Sequence, residues 1–159
     1  MTLNYPLVNH DKGTYMYTYK ANVIKVVDGD TVDLDIDLGF GIVFKKQRGR
    51  LWWITAPESR TRDKEEKKRG LAAKARLIKI LKLNNNEVHF TSKEKGKYGR
   101  YLVRLFVEKM PTTKRIVLQA GKDYKKEEIL GTIYYDVNYA LIVEGHAVEY
   151  FGGKRWVYL

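Results

Sequence analysis

The first third of the chain alternates between apolar and polar residues in a way that predicts β-strands. Residues 17–27 are rich in β-forming side chains, and residues 28–30 (Asp-Gly-Asp) predict a turn before a second strand over residues 31–38. Because side chains alternate across a strand, this second run predicts one buried and one solvated face. Residues 42–46 and 50–54 continue the predicted sheet. The residues expected on the buried face of the second strand are Val32, Leu34, Ile36 and Leu38.

A helical spacing of apolar residues follows, and it predicts a helix from Lys64 to Leu83. Residues 87–92 and 100–108 then predict two further strands. Residues 109–133 have mixed signals and are interpreted as an insertion, with a hairpin whose polar tip would lie at 121–128. Residues 137–144 predict a short second helix that ends before Gly145. The apolar residues expected on the buried face of the first helix are Leu71, Ala72, Ala75, Leu77, Ile78 and Leu81.

This order of elements is three strands, a helix, two strands and a helix. A five-stranded antiparallel barrel with a helix between strands three and four is the OB-fold arrangement, an α+β and mainly β class. The order alone also fits another small α+β barrel. At 159 residues the chain has the length of one domain. Residues 1–18 are interpreted as a leader, and residues 19–159 as the barrel domain.

Charge and composition narrow the classes of partner. The formal net charge is +11 and the isoelectric point is near 9.7. A field of that sign raises the local concentration of polyanions such as nucleic acid, although solubility or an anionic membrane surface would also explain it. The absence of cysteine excludes disulfides and thiolate-bound zinc. No segment approaches the ~20 apolar residues of a membrane span, and residues 1–20 lack the apolar core of a signal peptide. A soluble cytoplasmic protein is therefore expected.

Two aspartates flank the first predicted turn. Asp28 and Asp30, on either side of Gly29, are able to point at one place, which suits a hard cation that prefers oxygen ligands. Asp-Gly is also a frequent hairpin turn signal. The pattern alone therefore leaves both a metal site and an ordinary turn open.

Two further groups of residues have the chemistry of phosphate binding. Arg50 is able to hold a phosphate by two parallel hydrogen bonds, and Glu58, just after a proline, is able to act as a general base. Residues 97–100 (Lys-Tyr-Gly-Arg) form a basic loop in which a glycine allows close approach of the backbone to a ligand. Solvated surface charges are the alternative interpretation for each group in isolation.

Four blocks of the sequence resemble, in sequence and in order, the signature blocks of the staphylococcal nuclease (thermonuclease) family. The resemblance spans about residues 19–151 and is greatest to phage-type members. It implies an OB-fold nuclease that uses one calcium ion. The blocks are VIKVVDGDTV (23–32), RLWWITAPES (50–59), KYGR (97–100) and VNYALIVEGHA (137–147).

The resemblance implies a role for each residue that matches a family position. Asp30 matches the metal-binding aspartate, and Asp28 matches a nearby acidic residue that supports the metal site. Arg50 and Arg100 match the two arginines that bind the scissile phosphate and stabilise its transition state. Glu58 matches the glutamate assigned as general base.

The substrate-binding positions match those of the family better than the metal-binding positions do. Lys97 and Tyr98 match residues that contact a neighbouring phosphate. Thr55, however, occupies the position where the family has a second metal-binding aspartate, and a neutral hydroxyl is a poorer ligand for a hard cation. Ala56 replaces a threonine that serves the metal through its backbone carbonyl, which any residue retains. A weakened calcium site is therefore expected.

Three functional hypotheses follow. The first is a calcium-dependent nuclease that hydrolyses DNA, with RNA as a further candidate substrate and with little sequence preference. The second is a catalytically weakened, nuclease-like module that binds nucleic acid, which Thr55 favours. The third is an OB-fold single-strand binder, which leaves Asp30, Arg50, Glu58 and Arg100 unexplained. The expected partner is nucleic acid, the expected state is a monomer, and no membrane or protein partner is implied.

Overall fold

The structure is a computed structural model that describes residues 6–7, 16–95, 100–111, 118 and 121–150. Within these residues it contains ten strands and two helices. None of the helices in this part of the chain is long and apolar enough to span a membrane. The elements are β1 (Pro6–Leu7), β2 (Met16–Asp28), β3 (Thr31–Asp37), β4 (Val43–Leu51), β5 (Ile54–Thr55), α1 (Lys64–Leu83), β6 (Glu87–Lys95), β7 (Tyr101–Val107), β8 (Lys126–Ile129), β9 (Thr132–Asp136), α2 (Val137–Val143) and β10 (Val148–Glu149).

Five of these strands close into a barrel. Strand β3 pairs antiparallel with β2 and β4, and β6 pairs antiparallel with β2 and β7. A parallel pairing of β4 with β7, with Arg50 opposite Leu102, closes the ring. Helix α1 lies between the third and fourth barrel strands in the chain. The OB-fold prediction is therefore confirmed.

The alternating pattern of β3 has the predicted effect on burial. Val32, Leu34 and Ile36 are buried in the barrel, together with Phe90 and Leu105 of the opposite strands. The prediction was wrong for the last apolar residue of the run, Leu38. This residue lies beyond the end of β3 and is exposed, because the chain has already entered the turn towards β4.

The sheet extends past the barrel at two places. Strand β1 pairs with Met16 and Tyr17, so the sheet reaches into the segment predicted to be a leader. Strands β8 and β9 form a hairpin on the edge of β7, with β9 next to β7. The hairpin was predicted, but its tip at 121–128 was wrong. The turn lies at Leu130–Gly131, where both residues have positive φ, and residues 126–128 are strand.

Helix α1 has the predicted bounds but turns a different face to the core. Asp63 caps its N-terminus by accepting hydrogen bonds from the backbone of Glu65 and Glu66. Leu71 and Ile78 are exposed, at 47% and 42%, as are Ala72 and Ala75, so only two of the six predicted residues are buried. Apolar residues occur around much of this helix, and its spacing alone did not indicate which side meets the barrel. The buried residues are Gly70, Ala73, Arg76, Leu77, Ile80 and Leu81.

Candidate active site

Asp30 lies at the centre of a cluster of polar groups at one end of the barrel. It is 3% exposed and lies in the tight turn between β2 and β3. Its Oδ2 atom accepts a hydrogen bond from the backbone N–H of Ala56 at 2.9 Å, and the Thr55 hydroxyl lies 3.4 Å from the same atom. Its Oδ1 atom accepts a hydrogen bond from the Thr31 hydroxyl at 2.9 Å. The carboxylate thus joins the turn to the segment that leads to Glu58.

Arg50 lies beside this carboxylate. Its Nη1 atom is 3.5 Å from Oδ2 of Asp30, and its Nη2 atom donates to the carbonyl oxygen of Ile54 at 3.3 Å. The side chain as a whole is 18% exposed, so it is mostly but not completely buried. The structure therefore brings together Asp30, Arg50 and Thr55.

Asp28 points to a different partner. Its carboxylate accepts a short hydrogen bond from the hydroxyl of Ser59, which is buried. This contact joins the turn that carries Asp30 to the residue directly after Glu58. Asp28 thus lies beside the cluster, and Ser59 is a partner that the sequence did not indicate.

Glu58 projects from a segment that packs directly on helix α1. The Glu58 side chain is exposed, while Pro57 and Ser59 on either side are buried. A β-carbon added to Gly70 would lie 2.7 Å from the carbonyl oxygen of Pro57, which is closer than such atoms approach. The absence of a side chain at Gly70 therefore allows the segment carrying Glu58 to lie against the helix.

The aspartate turn packs on the same helix one turn further along. A β-carbon on Gly29 would lie 2.7 Å from the β-carbon of Ala73 and 3.0 Å from that of Ala56. Gly29 and Ala73 are therefore small because two backbones approach there. Since Gly70 and Ala73 are three residues apart, one face of α1 supports both the Asp30 turn and the Glu58 segment.

Helix α2 fixes the turn between β4 and β5. The buried amide of Asn138 donates to the carbonyl oxygens of Trp52 at 3.2 Å and Val103 at 3.0 Å, and accepts from the backbone of Leu105 at 3.1 Å. Trp53 in this turn has a backbone φ of 59°, a conformation that residues other than glycine rarely adopt. Asn138 therefore stabilises the short connection that separates Arg50 from Thr55. It lies in the fourth resembling block but was not assigned a role from sequence.

Arg100 lies directly before the first residue of β7. Arg100 is two residues before Leu102, the partner of Arg50 in the parallel pair. Arg100 is thus displaced from Arg50 by two residues along the strand direction and by one strand spacing across the sheet. These two displacements place the two backbones on the order of 8 Å apart. Lys97 and Tyr98 lie outside the described residues.

The oxygen atoms around Asp30 suit a hard cation, but they include only one carboxylate. Among the described residues, no group of three or more histidine, aspartate or glutamate side chains could hold a metal ion. Asp30 supplies one carboxylate and Thr55 a neutral hydroxyl 3.4 Å away. These oxygen donors fit calcium or magnesium in type. Their combined charge is that of a single aspartate.

Comparison with known proteins shows a similarity to one family. Residues 48–122 match the family model described as staphylococcal nuclease homologue. This range begins in β4 and includes Arg50, Thr55, Glu58, helix α1 and Arg100. The search of curated proteins found no significant match.

Proposed function

We propose that this chain, a member of the staphylococcal nuclease family, is a metal-dependent nuclease that hydrolyses phosphodiester bonds of DNA, with RNA as a further candidate substrate. The observation that carries the proposal is the contact of Arg50 and Thr55 with the buried Asp30, at 3.5 and 3.4 Å, beside the segment that carries Glu58. A buried carboxylate, a guanidinium and an accessible second carboxylate form a set suited to phosphate chemistry.

Arg50 and Arg100 would bind the scissile phosphate. Hydrolysis concentrates negative charge on the phosphate oxygens as the attacking oxygen approaches the phosphorus. Guanidinium groups held near this charge stabilise the transition state, and their positive charge does not depend on pH in the neutral range. Arg50 is suited to this role because its contacts with Asp30 and Ile54 hold it in place before substrate binds.

Glu58 would act on the attacking water. Its exposed side chain is accessible to solvent and substrate, and the buried residues on either side fix its backbone. It would orient the water and accept its proton, as a general base. Lys97 and Tyr98 are proposed to contact a neighbouring phosphate.

Asp30 would hold the metal, with Thr55 as a neutral ligand and Asp28 in the outer shell. A bound calcium ion would supply positive charge close to the phosphate oxygens. The surrounding residues keep Asp30 oriented, since the N–H of Ala56 and the hydroxyl of Thr31 hold one oxygen each. The single carboxylate favours weak calcium binding.

The substrate is proposed to be recognised mainly through its backbone. The net charge of +11 favours binding to polyanions. Contacts to the phosphate backbone carry no sequence information directly, so we propose low sequence specificity. A cytoplasmic location, a monomeric state and a phage-type relationship remain predictions from the sequence.

The proposal is tested by incubating the protein with plasmid and single-stranded DNA in calcium, in magnesium and in EDTA. Degradation that requires a divalent cation and is lost in Glu58→Ala supports the nuclease. The matched control is Glu127→Ala, which removes an exposed carboxylate from β8. Cleavage that persists in EDTA, or that is unaffected by Glu58→Ala, would contradict it.

The second candidate is a module that binds nucleic acid without cutting it. The single observation in its favour is Thr55 in place of an aspartate. In the same incubation this module would retard DNA in a gel in all three buffers while leaving it intact.

A further inference from the structure

A third group besides Asp30 and Ile54 contacts Arg50. The guanidinium carbon of Arg50 lies 5.3 Å from the centroid of the Tyr150 ring, a distance typical of a cation–π interaction. Tyr150 is a hundred residues further along the chain and belongs to none of the four resembling blocks. The face of its ring carries partial negative charge, which attracts the guanidinium without the directional demand of a hydrogen bond.

The backbone around Tyr150 is fixed to the strand that carries Thr55. Strand β10 pairs antiparallel with β5, with Val148 opposite Thr55. The N–H of Tyr150 then donates to the carbonyl oxygen of Trp53 at 2.7 Å. The ring is therefore placed by the same two-stranded unit that places Thr55, and it is only partly exposed.

This arrangement gives Arg50 two competing neighbours of negative character. The carboxylate of Asp30, 3.5 Å away, attracts the guanidinium into the barrel end. The ring of Tyr150 attracts it without neutralising its charge, because a ring face carries no net charge. In a full ion pair, the carboxylate of Asp30 would be occupied by Arg50 and not by the metal. The charge of Arg50 would likewise be occupied by Asp30 and not by the phosphate.

We propose that Tyr150 is a positioning residue for Arg50. Its ring holds the guanidinium in an orientation that leaves the charge available to a phosphate, and limits closer pairing with Asp30. The inference rests on the proposed nuclease function for its kinetic consequence. The contact itself is a property of the free protein and can be measured without substrate.

The test compares Tyr150→Phe, which retains the ring face, with Tyr150→Leu, which retains an apolar side chain only. We expect Tyr150→Phe to keep kcat within about twofold, and Tyr150→Leu to lower kcat by roughly 3- to 30-fold with a smaller change in KM. The matched control is Tyr135→Leu, which removes a ring lying 5.4 Å from Lys126 in the β8–β9 hairpin. This control is expected to leave kcat unchanged.

A readout independent of cleavage separates the two proposals. The Nε–H signal of Arg50 in NMR spectra of the free protein should carry a ring-current shift in the wild type and in Tyr150→Phe, and lose it in Tyr150→Leu. If the wild type cuts no DNA but the shift behaves in this way, the proposed function fails and the contact stands. If the shift is absent in the wild type, or if Tyr150→Leu keeps full kcat, the positioning role is wrong.

A series of fluorinated phenylalanines at position 150 covers the case in which Tyr150→Leu does not fold. Fluorination removes negative charge from the ring face while nearly preserving its shape. A stepwise fall of kcat with increasing fluorination is expected. Equal kcat across the series would show that the ring acts through packing alone and would overturn the proposal.

Discussion

Gly70 of helix α1 lies in direct contact with the main chain of Glu58, so that a β-carbon at Gly70 would be 2.5 Å from the Glu58 carbonyl carbon. A glycine inside a helix normally lowers stability by about 1 kcal/mol relative to alanine. Here the glycine is needed because the proposed base is held against the helix at that point. The relationship joins helix packing to the position of the proposed general base.

Gly70→Ala should therefore destabilise the protein, against the usual effect of replacing a helical glycine by alanine. Overpacking against rigid backbone typically costs about 1–3 kcal/mol. Urea denaturation would measure the change, and DNA cleavage should fall in parallel as Glu58 is displaced. Ala75→Gly, at an exposed position of the same helix, reports the propensity effect alone. A stabilised Gly70→Ala protein would contradict the close contact.

Thr55→Asp should strengthen calcium binding. It would add a second carboxylate at a position 3.4 Å from the Asp30 carboxylate, and affinity for hard cations rises with the charge of the ligands. An increase on the order of tenfold or more is expected by isothermal titration calorimetry. Thr132→Asp, at an exposed position in β9, controls for the added charge. A micromolar site that Asp30→Ala abolishes but Thr55→Asp leaves unchanged would show that Thr55 does not limit affinity.

Arg50→Lys should lower kcat strongly although the charge is kept. Lysine cannot reproduce the planar fork of donors or its contact with Ile54. Loss of a donor that stabilises transition-state charge typically lowers the rate by about 10²- to 10³-fold. Arg48→Lys, two residues earlier on β4, changes an exposed arginine that pairs with Asp33 at 2.9 Å and should have little effect. Similar losses in both variants would indicate a general effect of β4.

Glu144→Gln should destabilise the fold. Arg76 of α1 and Glu144 form a buried ion pair, with side chains 7% and 1% exposed and Nε 2.6 Å from Oε1. Removing one charge leaves the other buried, which typically costs about 3–5 kcal/mol. Tyr124 also donates to Glu144 at 2.7 Å, and burial together with this hydrogen bond raises the pKa of Tyr124 to about 12. Guanidinium denaturation would measure the loss.

The control for the buried pair is Asp33→Asn, which breaks the more exposed pair with Arg48. Exposed pairs contribute about 0–1 kcal/mol, so a small change is expected. Equal losses in the two variants would contradict the difference in burial.

Stability should fall as the pH drops through the range in which His89 and His146 titrate. Burial is the main cause that lowers the pKa of both, so each binds its proton more weakly in the folded state than in the unfolded state. The unfolded state then takes up protons first below about pH 6.5, and its protonation favours unfolding. The contribution of these two histidines to stability is complete above that pH, and it is lost as the pH falls through their lowered folded-state pKa values.

The double variant His89→Gln, His146→Gln should show a smaller loss of thermal stability between about pH 7.5 and 5.5. Calorimetric midpoints of wild type and variant, compared at each pH, would measure this difference. An identical pH dependence in both proteins would mean that other groups dominate.

Much of the fold could be predicted from sequence because its signals are local. The period-2 pattern of residues 31–38 predicted β3, and the apolar spacing of residues 64–83 predicted a helix with the observed bounds. The residues Asp30, Arg50 and Glu58 were identified from motif order, and the structure brings Asp30 and Arg50 into contact. Their catalytic and metal-binding roles stay predictions.

Features that depend on contacts between residues remote in sequence were determined only by the tertiary structure. The buried face of α1 combines Gly70 and Ala73, where two loops approach the helix, with Leu77, Ile80 and Leu81. Ser59 meets Asp28 across 31 positions, and Tyr150 reaches Arg50 through the pairing of β10 with β5. Periodicity and turn chemistry act over a few neighbouring residues. Contacts between remote segments exist only once the barrel has closed.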